Sequence, residues 1–151
     1  MRKFIIITII TFTLTLTFTA LGAFCAEVSS LERDAMILRV ELNRLGSDGD
    51  PLEREAILRE IIDTCKGTEE AEAAYWDLAD LYLDAFPEER RQEACEMLEL
   101  CLKNYPETKR SVLVKCKLVE LYDKNNARRA ELITQIKNDK SVPKYILEGL
   151  N

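Results

Sequence analysis

The sequence predicts an all-α fold of about three helical hairpins in series, preceded by an apolar N-terminal helix. Past Glu27, apolar residues recur at spacings of three and four, as in amphipathic helices, and no segment keeps the alternation of a strand. Sliding the chain against itself by 40 residues aligns the apolar positions of successive helices, which is typical of stacked repeats. The aligned pairs include Ile57 and Met97, Leu58 and Leu98, Ile61 and Cys101, Ile62 and Leu102, Leu78 and Leu118, and Tyr82 and Tyr122.

Residues 1–26 have the composition of a secretory signal peptide. A short basic start is followed by an apolar run without charges, and small residues precede the first acid at Glu27. Cleavage after Gly22 and cleavage after Cys25 both fit this pattern. The signal predicts a periplasmic or secreted protein.

The same segment also fits a membrane anchor. Residues 4–26 supply the roughly 20 apolar residues that span a bilayer, so the alternative is an inner-membrane-anchored protein that retains them. Lipidation of Cys25 is a further alternative, although the residues before it do not match a lipoprotein signal. In each case the membrane is expected to be contacted only through this N-terminal segment.

The remaining chain, residues 29–149, forms one predicted helical domain. Its hairpins are expected at about 30–66, 68–105 and 108–140. Ser29 is placed to cap the first helix, and Asp50 with Pro51 begins the second, because proline suits the first helical position. The later breaks are KGT, FPEE, YPET and KNNA, and Pro143 separates a last short helix that ends at Gly149.

The second hairpin carries a specific pattern of aromatic, apolar and small residues. Its first helix has Tyr75, Leu78, Ala79 and Tyr82, and its second has Ala94, Leu98, Cys101 and Pro106. This pattern, from Ala73 to Pro106, resembles a tetratricopeptide repeat. The third hairpin keeps only Leu118, Tyr122 and the closing Pro143, and the turn after Tyr82 is three residues longer than usual for the family.

The resemblance implies a right-handed α-α superhelix, or solenoid, of three hairpins. The short exported array is similar to the tetratricopeptide proteins of bacterial envelope assembly. Such proteins bind other proteins without performing chemistry. The implied function is therefore a scaffold or adaptor that binds a peptide or helix of an envelope partner. The alternative is a structural subunit of an envelope complex, anchored through residues 4–26.

In the family, the first helix of each hairpin lines a concave groove. The groove positions that we single out here are Trp76, Asp80, Leu83, Asp84 and Glu120. The resemblance therefore implies a partner that is basic and partly apolar, and a second copy of the chain is another partner it leaves open. Trp76 fits either a binding anchor or packing against a neighbouring helix. Asp77, on the same helix, is expected to be solvated.

Charge and composition exclude several function classes. Taking Arg2 and Lys3 from the 21 basic side chains leaves 19 against 27 acidic ones, a net charge of −8 for the exported part. Such a chain repels phosphate backbones, so no nucleic-acid partner is expected. The sequence has no histidine, which excludes serine–histidine and cysteine–histidine catalysis as well as histidine zinc sites. We expect no enzyme activity, no catalytic residue and no cofactor.

Three further groups of residues are candidate sites. Three aspartates of one helix, Asp77, Asp80 and Asp84, provide too few converging oxygens for a hard cation, so no metal site is expected. The segments PEERRQE and NNARRAE predict solvated turns with local ion pairs. The four cysteines of the domain fit either small buried apolar residues, which their helical spacing favours, or disulfides; they are Cys65, Cys95, Cys101 and Cys116.

Overall fold

The computed structural model describes residues 30–149, and these residues are helical with short connections and no strand. Helix α1 covers residues 30–45. The following helices are α2 Pro51–Thr64, α3 Glu69–Ala85, α4 Arg91–Asn104, α5 Ser111–Leu121, α6 Ala127–Asn138 and α7 Lys144–Gly149. The all-α prediction is thereby confirmed. The predictions for residues 1–26, for Cys25 and for the Ser29 cap lie outside the described residues.

Several helices begin at the residues that the sequence indicates, because polar side chains satisfy the free N–H groups there. Asp50 accepts a hydrogen bond from a backbone N–H at the start of α2 at 3.0 Å, and Thr68 does the same for α3 at 3.2 Å. Asn126 caps α6 at 2.8 Å. Gly46 and Gly67 have φ angles of +65° and +85°, which glycine adopts without the strain of a side chain.

The helices pack mainly against their neighbours in sequence. Contacts join α2 with α3, α3 with α4, α4 with α5, and α5 with α6. Ion pairs add links between every second helix: Arg39 of α1 to Asp77 of α3 at 2.5 Å, and Lys117 of α5 to Asp80 at 3.3 Å. The described chain is therefore a repeat-like arrangement in which each helix contacts elements near it in sequence.

The core follows the stripe that the sequence indicates on α3. Tyr75, Leu78, Ala79 and Tyr82 are all buried, and Tyr82 is 0% exposed. These residues lie three and four positions apart, so they share one face of the helix. The aligned leucines Leu98 and Leu118 are buried in the same cluster. Most of the repeat positions identified in the sequence thus fill the core, and Met97, Leu102 and Tyr122 pack against it while partly buried.

The cysteines behave as small apolar residues rather than as disulfides. Cys65, Cys95 and Cys101 are buried, Cys116 is half-buried, and all four thiols are free. Burial raises the pKa of Cys101 to about 11, so its thiol stays protonated and unreactive at neutral pH. The buried-residue interpretation is confirmed for the first three. Among residues 30–149, no helix has the length and apolar character needed to cross a bilayer.

Candidate partner-binding site

A cleft of about 350 Å³ lies between α1 and α3, and it contains two of the predicted groove residues. Asp80 and Asp84 line it from α3, and Arg39 lines it from α1. The two carboxylates differ in whether another side chain of the protein is already paired with them. Asp80 is paired with Lys117 at 3.3 Å, whereas Asp84 is exposed and, among the residues that the structure describes, has no ion-pair partner. A ligand cation would therefore meet Asp84 without competition.

Asp77 corrects one sequence-based expectation. Instead of being free in solvent, its carboxylate accepts a hydrogen bond from the Arg39 guanidinium at 2.5 Å. The pattern within one helix shows which residues share a face, but it does not show which residue of another helix lies opposite. Packing of α1 beside α3 brings Arg39 to Asp77, so this carboxylate joins two helices.

Trp76 and Leu83 are partly buried and pack against the core. Both lie three or four residues from Asp80, and therefore on the same side of α3. Each side chain keeps part of its surface in contact with solvent. The structure thus brings Trp76, Asp80, Leu83 and Asp84 together on one helix face. It also assigns Trp76 a packing role, which was one of its two interpretations.

Glu120, the fifth predicted residue, lies in a different cleft. This cleft of about 380 Å³ lies between α5 and α7. Glu120 and Arg129 supply its charged groups, and the side chains of Leu113 and Tyr145, each more than half exposed, supply apolar surface. The predicted residues are therefore not gathered in one groove: Asp80 and Asp84 line a cleft beside α3, and Glu120 lines another beside α5.

The structure also shows a set of contacts that sequence analysis missed, which we name the first clasp: Glu55, Tyr82 and Arg90. The guanidinium of Arg90 donates to both oxygens of Glu55 at 2.5 and 3.0 Å, and the Tyr82 hydroxyl donates to the same carboxylate at 2.7 Å. The Arg90 guanidinium also lies 3.9 Å from the centre of the Tyr82 ring. One residue from each of three consecutive segments, α2, α3 and the start of α4, meets here.

The electrostatics of the first clasp follow from these bonds. Hydrogen bonding from Arg90 lowers the pKa of Glu55 to about 2, against the opposing effect of burial and with help from Tyr82 and Arg59. Arg59 donates to the Tyr82 hydroxyl at 2.7 Å. Burial, together with the bond to Glu55, raises the pKa of Tyr82 to about 12. The clasp therefore holds a charged carboxylate and a neutral tyrosine at neutral pH.

A second set of contacts, which we name the second clasp, joins the second and third hairpins in the same way. Its residues are Glu99, Tyr122 and Arg128. Arg128 donates to both oxygens of Glu99 at 2.8 Å each, and the Tyr122 hydroxyl donates to Glu99 at 3.1 Å. The Arg128 guanidinium holds the pKa of Glu99 below its usual range. Burial, with the charge of Glu99, raises the pKa of Tyr122 to about 12.

A short sequence signal does mark both clasps. RRQE at Arg90–Glu93 and RRAE at Arg128–Glu131 each stand where a second helix begins, and each first arginine also pairs with the acid three residues later. The interpretation of these segments as turns with only local ion pairs was incomplete. Their first arginines reach a carboxylate on the second helix of the preceding hairpin.

The comparisons add no identification. Neither the known protein families, nor the curated proteins, nor the solved structures give a match to this chain. Within residues 30–149, no group of three potential ligand side chains is placed to hold a metal ion. What the described site offers is a set of carboxylates and apolar side chains on the first helices of successive hairpins.

Proposed function

We propose that this protein is an exported interaction module: a tetratricopeptide-like, right-handed superhelix of three hairpins that binds a segment of an envelope protein along its first helices. The observation that carries the proposal is the pair of clefts on α3 and α5. They combine available acids, Asp84 and Glu120, with exposed apolar side chains, Leu113 and Tyr145. Such mixed surfaces are typical of protein recognition sites.

The links between helices support the stack. Ion pairs join first helices with first helices, through Arg39–Asp77 and Asp80–Lys117. The two clasps join second helices with the start of the next second helix. Interactions that repeat between neighbouring units, with none needed between distant ones, are the defining feature of a solenoid.

The chemistry of the clefts favours a partner that is basic and partly apolar. A lysine or arginine of the partner can pair with Asp84, and it can compete with Lys117 for Asp80. Leu113 and Tyr145 provide apolar contact at the second cleft. Trp76 and Leu83, on the same face of α3 as Asp80, add the part of their surface that they leave exposed.

Photo-cross-linking in the cells that make the protein tests this function. A photoreactive amino acid at Asp84 and another at Leu113 probe the two clefts, because both side chains are exposed. Asp63, an exposed aspartate on α2, is the matched control. We expect the same partner to be captured from Asp84 and Leu113 and to be absent from Asp63.

A charge reversal makes the same test without a probe. Asp84→Lys should reduce co-purification of the captured partner at least about tenfold, because like charges oppose each other across an interface. Asp63→Lys should leave it unchanged. Equal capture from Asp84 and Asp63, or equal loss in both charge variants, would contradict the groove as the binding surface.

Export is tested separately, by the N-terminal sequence of the protein recovered from its host. A mature chain beginning at Ala23 or Ala26 supports the exported module. An intact Met1 with the protein in the membrane fraction supports the alternative, an anchored structural subunit.

A further inference from the structure

The cleft between α1 and α3 is also lined by a charged residue of α2. Arg54 faces this cleft together with Asp84 of α3. The Arg54 side chain is half-buried, and within residues 30–149 its one hydrogen bond goes to the backbone carbonyl of Ser47 at 3.3 Å. Neither Arg54 nor Asp84 takes part in an ion pair with any described residue. The cleft therefore presents a cation and an anion that are paired neither with each other nor with another side chain.

Both charges lie near helix ends where they oppose the helix dipole. Arg54 is the fourth residue of α2, near the end that carries partial positive charge. Asp84 is the last residue but one of α3, near the end that carries partial negative charge, and the last turn of α3 has no basic residue. Ligand groups of the opposite charge reverse both relations, because a carboxylate at Arg54 and a cation at Asp84 are each attracted by the side chain and by the helix end. The placement of these two residues favours ligand binding over helix stability.

The rest of the cleft is apolar or already neutralised. Leu42, Leu58 and Leu81, one from each of the first three helices, line it and are buried. Arg39 and Asp77 pair at 2.5 Å about two helical turns from Asp84, so the charges at that end neutralise each other. The volume of about 350 Å³ is at the lower end of the ~300–1,000 Å³ of small-ligand sites. The space therefore suits a short group with an apolar stem.

We propose that this cleft binds a group that carries both charges, with a cation against Asp84 and a carboxylate against Arg54. The segment of the partner that enters the cleft then has an acidic residue close to its basic one. This inference rests on the proposed function, because it concerns the same cleft, and it adds Arg54 as a residue that determines specificity. Since Arg54 and Asp84 are not paired with each other, the two charges of the ligand have to span the gap between them.

Small molecules of the same chemistry test the cleft without the partner. The probes are ε-aminohexanoate, which carries an ammonium and a carboxylate on one apolar chain, and its singly charged analogues pentylamine and hexanoate. In calorimetric titrations of the purified protein, ε-aminohexanoate should bind at least about tenfold more tightly than either analogue, because both charges are recognised on one molecule. Glycine, whose two charges are adjacent, should bind more weakly than ε-aminohexanoate. Equal binding of ε-aminohexanoate and the two analogues would overturn the proposal.

Substitutions assign each charge of the probe to one residue. Arg54→Gln should remove the advantage of ε-aminohexanoate over pentylamine, and Asp84→Asn should remove its advantage over hexanoate. Arg44→Gln and Asp63→Asn are the matched controls, since both residues are exposed and lie outside the cleft. The controls should leave the affinity for ε-aminohexanoate within about twofold of the native value.

Thermal unfolding separates a binding role from a structural one. Neither Arg54→Gln nor Asp84→Asn should lower the Tm, because each removes a charge that opposes a helix dipole. A lower Tm together with unchanged binding of ε-aminohexanoate would assign both residues to the fold and overturn the proposal.

The partner captured by photo-cross-linking distinguishes a protein segment from a free zwitterion. Arg54→Glu should reduce co-purification of that partner about tenfold, since the acidic residue of its segment then meets a like charge. Unchanged co-purification, in a variant that no longer binds ε-aminohexanoate, would identify a free zwitterion as the occupant and overturn the partner segment. The proposed function fails if Asp84 and Leu113 capture no common partner, whereas the charge recognition fails if ε-aminohexanoate gains nothing over its analogues, so the two failures are distinguishable.

Discussion

The two clasps have the same chemical groups, but they differ in enclosure. In the first clasp, the Tyr82 ring is fully buried, and Glu55 receives hydrogen bonds from Tyr82, Arg59 and Arg90. In the second, Tyr122 is only partly buried, and Glu99 is bound by Tyr122 and one arginine. A carboxylate with more donors and less solvent contributes more to stability, because its interactions are less screened.

This difference in enclosure indicates which junction of the stack is held more firmly. The first clasp joins the first and second hairpins, and the second clasp joins the second and third. We therefore expect each substitution in the first clasp to cost more than its counterpart in the second.

The largest expected effect is that of removing the tyrosine ring. Tyr82→Ala should lower the free energy of unfolding by about 3–5 kcal/mol, as for other large buried aromatic residues. Tyr122→Ala should cost roughly half as much, because that ring is partly exposed before the change. Urea denaturation of both variants measures the difference. A loss under about 1 kcal/mol for Tyr82→Ala would contradict its core role.

Neutralising the carboxylate of each clasp should have the second-largest effect on the free energy of unfolding. Glu55→Gln keeps the shape but loses the charged acceptor, and should cost about 1–3 kcal/mol of unfolding free energy. Glu99→Gln should cost about 1 kcal/mol or less, since its ion pair is more solvated. The same denaturation experiment applies. Equal losses in the two variants would show that enclosure does not set the strength of the clasps.

The dependence of the unfolding free energy on pH should also differ between the two clasps. The pKa of Glu55 falls from 4.5 to about 2 on folding, so the unfolded chain binds the proton more tightly. The stability from this group is complete above pH 4.5 and is lost as the pH falls toward 2. Glu55→Gln should therefore flatten the fall in unfolding free energy across this window more than Glu99→Gln does. A native-like slope in Glu55→Gln would contradict the assigned cause.

The smallest expected effect is the loss of the hydroxyl alone. Tyr82→Phe keeps the buried ring and removes one donor to Glu55 and one acceptor for Arg59, at a cost of about 0.5–1.5 kcal/mol. Tyr122→Phe should cost less than this. Thermal unfolding followed by circular dichroism resolves differences of this size. A larger loss in Tyr122→Phe than in Tyr82→Phe would reverse the proposed order of the clasps.

Sequence patterns predicted the helices and the core well, because both depend on periodicity within one helix. The stripe from Tyr75 to Tyr82 and the helix start at Asp50 and Pro51 are local features. Contacts between helices were harder to predict. Lys117 opposite Asp80 and Arg39 opposite Asp77 depend on how the helices are placed in space, which periodicity does not give.

The clasps were missed for a related reason. The two tyrosines are 40 residues apart, but Glu55 and Glu99 are 44 residues apart, so they occupy different repeat positions on their helices. When the chain is compared with itself at an offset of 40 residues, the two tyrosines align, but Glu55 and Glu99 do not. The repeated RRxE segments are the part of the sequence that indicates both clasps. Of the candidate site, the α3 face was predicted, whereas the separation of Glu120 into a second cleft was not.

The central claim is that the hairpins are joined by ion pairs that a tyrosine supports, with the stronger one at the first junction. Double-mutant cycles with alanine at Glu55 and Arg90, and at Glu99 and Arg128, test it most directly. We predict coupling energies of about 1–3 kcal/mol at the first pair and about 0.5–1 kcal/mol at the second. Additive effects at Glu55 and Arg90, within about 0.3–0.5 kcal/mol, would contradict the account.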